Sequence, residues 1–135
     1  MERPIVKTTC GLITGYQKGD TLAFDGIPYC QPPTGSRRFL KADDGIHWDG
    51  VLEATKIGNI SPQGQSTLTP AIGSYELPHN ENCLTLAIRT PSLTGKRPVA
   101  VWIHGGANCF GSGNLVDALD KRTGSVNNIN TIIAK

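Results

Sequence analysis

The run PVAVWIH, residues 98–104, constrains the chain most: every residue between its proline and its histidine is apolar. A strand this uniformly apolar cannot turn one face to water, so the pattern predicts a strand covered on both faces. It breaks at once into Gly105-Gly106, where the backbone must turn with no Cβ in the way. Composition points the same way. Sixteen glycines and nine prolines in 135 residues favour short strands and loops over long helices.

Charge and cysteine usage narrow the partners. Thirteen basic and eleven acidic residues give a net charge of +2, with no basic run longer than Arg37-Arg38. This excludes an electrostatic nucleic-acid or acidic-membrane surface. No apolar segment approaches the roughly 20 residues of a membrane-spanning helix. The opening Met1-Glu2-Arg3-Pro4 carries no apolar leader, so the expected location is the cytoplasm. Cys10, Cys30, Cys83 and Cys109 show no CxxC spacing, and the histidines are unpaired. Free thiols are therefore expected rather than a two-disulfide framework, with no metal site and no cofactor.

Along the chain, residues 5–30 alternate β-favouring and polar residues around Gly19-Asp20, which predicts an antiparallel hairpin. Pro32-Pro33 and Gly35 then impose a rigid extended turn. Residues 41–82 are polar and weakly patterned, with Trp48 as their large apolar anchor. CLTLAIRT (83–90) reads as a strand, joined by a hairpin loop to the strand at 98–104. Beyond Gly113, residues 115–122 fit two helical turns between an Asn114 N-cap and a Gly124 stop, and 130–135 look like the start of a strand.

The strand-to-glycine turn has a chemical reading. Acyl transfer passes through a tetrahedral oxyanion, and backbone N–H groups fixed toward that oxygen are each worth roughly 3 kcal/mol. HGG alone is equally a tight loop without function.

Four blocks in order give that loop a context. FDGIPYCQPPTGSRRF (24–39) resembles the F-x-G-I-P-Y-A-x-P-P-x-G-x-x-R-F signature of the type-B carboxylesterases, the para-nitrobenzyl esterase and cholinesterase-like family. HWDGVLEATKIGNISPQ (47–63) resembles its W-x-G-x-x-x-A-T-x-x-G-x-x-x-P-Q stretch, and NENCLTLAIRTP (80–91) its S-E-D-C-L-x-L-N-I-x-x-P block. PVAVWIHGGANCFGSG (98–113) is similar to its P-V-x-V-W-I-H-G-G-A-F-x-x-G-S box. The resemblance implies an α/β class fold: the N-terminal portion of an α/β-hydrolase, a small antiparallel sheet plus the first strands of the central sheet. Residues 1–135 would then be an incomplete N-terminal part of a carboxylesterase type B domain.

The same resemblance assigns roles. The oxyanion donors would be the N–H groups of Gly106 and Ala107, with Gly105 freeing the turn and His104 supporting the loop. Arg38 and Glu81 would form a buried structural ion pair. Cys83 matches a cysteine that pairs in secreted members, but its partner position holds Ser61, so it is expected as a small buried residue. Asn108 and Cys109 stand where the family places an aromatic and its neighbour, and Asn82 removes a carboxylate. The family's next strand, V-V-V-V-x-x-N-Y-R, has no match after Gly113.

The family acts through a serine on a G-x-S-x-G elbow, followed by an acid and a histidine. None of Ser36, Ser61, Ser66, Ser74, Ser92, Ser112 and Ser125 has glycines at both minus two and plus two. His47 and His79 fall in loops and are expected at the surface. The chain thus carries an oxyanion loop but no catalytic triad, and alone should be inactive. The expected substrate of the full-length parent is a small carboxylic ester, with a complementary chain as a further partner. A non-catalytic, cholinesterase-like binding protein is the alternative.

Overall fold

The computed structural model describes residues 3–64 and 78–113. The helix and strand expected at 115–122 and 130–135 lie outside the described residues.

Two three-stranded sheets organise the chain. The first contains β1 (Ile5–Lys7), β2 (Leu12–Thr14) and β5 (Val51–Glu53), in the order β1-β2-β5. β1 runs antiparallel to β2, and β5 joins β2 in parallel with Ile13 opposite Leu52. The second contains β3 (Tyr16–Lys18), β4 (Thr21–Pro28) and β6 (Thr85–Thr90), in the order β3-β4-β6 and antiparallel throughout. The expected hairpin is the β3–β4 pair, turning at Gly19-Asp20. Residues ahead of it form a second antiparallel pair, β1–β2, in the other sheet.

β4 is the central strand, and its consecutive Ala23, Phe24 and Asp25 are all buried. Its register against β6 shifts between Phe24 and Ile27. Such a bulge takes a residue off the ladder and re-aims it. Here it frees Asp25, whose N–H donates to the Ala54 carbonyl at 2.9 Å, while the Ala54 N–H donates to Thr14 at 2.8 Å. One β4 residue thereby stitches the two sheets together. Below the stitch lies the core of Ile13, Phe24, Ile27 and Ala54, flanked by Val6, Leu22, Leu52 and Trp48. Trp48 is the expected anchor of its loop, and its indole N–H donates to the Leu12 carbonyl at 2.7 Å.

The expectation at 98–104 is corrected. These residues form no strand, and the hairpin expected between them and 83–90 is absent. β6 pairs with β4 instead. Val99, Val101 and Ile103 are 86%, 81% and 83% exposed. A strand exists through its ladder and its cover, and none of the described residues supplies either for this run. The run that the pattern places under cover on both faces is left exposed within the described residues.

Candidate functional site

The glycine turn builds a loop that folds back on itself. The N–H groups of Cys109 and Phe110 both donate to the Gly106 carbonyl, at 2.9 and 3.2 Å. This closure puts Gly106 at φ +129°, and a Cβ there would run into the Phe110 carbonyl, so glycine is required. Ala107 and Asn108 follow at φ 52° and 58°. Asparagine tolerates the left-handed region, but alanine is strained there, and such strain persists only where surrounding contacts fix the backbone.

Around this loop lies a cleft of about 310 Å³, lined by Ser61, Pro62 and Gln63 on one side and by His104 to Gly111 on the other. His104 is exposed, and its Nδ1 lies 2.7 Å from the Gly105 carbonyl oxygen. Among the described residues, the N–H groups of Gly105, Gly106 and Ala107 enter no hydrogen bond. The three residues named as the oxyanion element are thus brought together with His104 in one loop, with unused donors at the rim of a cleft.

The sequence did not single out Gln63. Its Nε2 donates to the Gly111 carbonyl at 3.0 Å, and its Oε1 accepts the Gly111 N–H at 2.6 Å. The Pro-Gln dipeptide was visible as a motif, but nothing local to it names a partner 48 positions downstream.

Arg38 and Glu81 meet at 2.7 Å, though with side chains 53% and 40% exposed. The expected burial is corrected, because residues 37–40 sit at the surface, with Phe39 98% exposed. The buried pair is a different one. Asp25 and Arg89, 2% and 6% exposed, meet at 2.8 Å, and the Tyr16 hydroxyl donates to Asp25 at 2.6 Å. Asp25 lies in the motif at 24–39 and Arg89 in the motif at 80–91, at positions to which the motif resemblance gives no role.

Cys83 is only partly covered, which corrects its expected burial. Burial still pushes its thiol up; its own backbone hydrogen bond pulls it down and the Glu81 charge pushes it up again. Tyr29 is raised by burial first, then by Cys30 and Cys83. Cys10, Cys30, Cys83 and Cys109 are all free thiols. His47 and His79 are exposed, away from the cleft lining. Among the described residues, no group of three or more His, Cys, Asp or Glu side chains could hold a metal ion. No helix among them is long and apolar enough to cross a membrane.

Comparison with known proteins gives this geometry its context. The chain is 42% identical over 116 residues to a phenmedipham hydrolase of Pseudarthrobacter oxydans, covering 84% of the chain and 24% of that protein. It is 38% identical over 116 residues to a para-nitrobenzyl esterase of Bacillus subtilis, covering 84% of the chain and 23% of the relative. Among solved structures, a PNB esterase superposes with a TM-score of 0.74 at 35% identity, over 83% of this chain and 23% of that one. A Geobacillus stearothermophilus carboxylesterase does so at 0.70 and 41% identity, over 82% of this chain and 21% of that one. The chain therefore spans about a quarter of the length of these relatives. Its two small sheets and long loops are a strand-and-loop portion of the α/β-hydrolase fold. The sequence profile of the carboxylesterase family runs from residue 2 to residue 122, through both sheets and the glycine loop, and the chain belongs to that family.

Proposed function

We propose that this chain supplies the oxyanion-stabilising loop of a serine carboxylic-ester hydrolase. The unused N–H groups of Gly106 and Ala107 beside the cleft carry the reading. In ester hydrolysis a serine attacks the acyl carbon, the carbonyl oxygen becomes an oxyanion, and the alcohol leaves from an acyl-enzyme that water then cleaves. Two fixed backbone donors at the oxyanion hold the charge that exists only in the transition state and intermediate. The chain's own serines offer no G-x-S-x-G elbow, so the nucleophile, acid and base must come from polypeptide outside these 135 residues. The name of one relative, a para-nitrobenzyl esterase, supports small esters as the substrate class.

Reconstitution tests this. The chain is co-expressed with the part of the Bacillus subtilis esterase outside its matched 116 residues, and p-nitrophenyl acetate hydrolysis is followed. Turnover is expected from the pair and from neither part alone. In the pair, Gly106→Ala should lower kcat by about 10²–10³-fold through loss of the donor geometry. Equal turnover by wild type and Gly106→Ala pairs overturns the reading and favours a binding role for the loop.

A further inference from the structure

We infer that Gln63 is a positioning residue of the oxyanion loop, a role that rests on the loop reading just given. A primary amide presents one acceptor and two donors in a plane, the same groups a neighbouring strand would offer to a peptide. Gln63 uses them that way on Gly111, accepting its N–H at 2.6 Å and donating to its carbonyl at 3.0 Å. Nε2 also donates to the Ser61 carbonyl at 3.1 Å, which fixes the rotation of the amide. Pro62 between those two residues stiffens the segment that presents it.

Gly111 is the closing end of the loop, and it sits against the opening end. A Cβ on Gly111, at φ +114°, would stand 2.6 Å from the Gly105 carbonyl oxygen and 2.8 Å from His104 Nδ1. Fixing the Gly111 peptide from outside therefore fixes the approach of Gly111 to Gly105 and His104. The unused donors at 106 and 107 lie between those two ends. Gln63 lines the same cleft, from a segment 48 positions upstream. It needs no contact with substrate, since its action runs through the peptide it clamps. The expected effect falls on the step that needs the donors placed, not on ground-state binding.

Two readouts test this, with Gln63→Ala and the nearly isosteric, non-hydrogen-bonding Gln63→Met. In the 135-residue chain, amide exchange should accelerate on the order of 10-fold at Gly111, Cys109 and Phe110, with the Asp25 amide unchanged. In the reconstituted pair, kcat for p-nitrophenyl acetate should fall on the order of 10-fold, with KM within about twofold. Faster exchange with unchanged kcat overturns the proposal, because the clamp would then be structural only. Unchanged exchange at Gly111 overturns it as well, and so does lost protection at Asp25 in both variants. Failure of the oxyanion reading is distinct: Gly106→Ala then leaves hydrolysis intact whatever the Gln63 variants do.

Discussion

Two arginine–carboxylate pairs, alike in sequence, differ sharply in what they hold. Arg38–Glu81 keeps about half of each side chain in water, where an ion pair is worth roughly 0–1 kcal/mol. Arg89–Asp25 is almost wholly withdrawn from water, so removing one partner strands a charge at about 3–5 kcal/mol. Arg89→Ala should therefore remove much of a typical domain stability of about 5–15 kcal/mol, while Arg38→Ala should shift a urea midpoint little. Equal midpoint shifts in the two variants would contradict the burial argument. Burial of this kind was not legible in the residues themselves. Arg38 stands in a recognisable R-F pair and drew attention, whereas Asp25 and Arg89 are set by a bulge in β4 and the β4–β6 register, which only the fold defines.

At the scale of elements, local pattern located strands but not their pairing. The alternation of residues 5–30 with Gly19-Asp20 identified the β3–β4 hairpin because its partners are adjacent in sequence. The parallel seating of β5 on β2 joins segments nearly forty residues apart, and no local pattern encodes it. The glycine loop was legible because its four-block context is specific, while the amide that clamps it was not. The run 98–104 shows the other limit of pattern: its composition states what it needs, not whether a neighbour is there. Burying Val99, Val101 and Ile103 would contribute roughly 1.5–3 kcal/mol each. Trp102, 56% exposed, reports on that event. The difference between wild-type and Trp102→Phe emission should be quenched by iodide in the chain alone, and blue-shifted and protected in the reconstituted pair. Iodide quenching that stays the same in the pair would show that this run is not where the two parts meet.

For the molecule as a whole, alkaline pH is the expected weakness. Tyr29 and Cys83 both titrate above their ordinary values of 10.0 and 9.0, so the fold favours their neutral forms. The contribution is present in full below about pH 9 and is lost as pH rises through the raised thiol value. Denaturation midpoints should start to fall near pH 9, and less steeply in Cys83→Ala; parallel curves for the two proteins would refute the assignment. The closing of the second sheet also has a consequence in time. Phe24 and Arg89, hydrogen-bonded in the fold, are 65 positions apart. At about 5–20 residues per second on the ribosome, β4 and its Asp25 wait several seconds for β6 and Arg89. Until then the second sheet can be no more than the β3–β4 hairpin, with an open edge and, at its centre, a carboxylate that has its Tyr16 hydroxyl but not its arginine. Synthesis therefore sets a window in which this chain is most exposed to mispairing, and it closes only when residue 89 arrives.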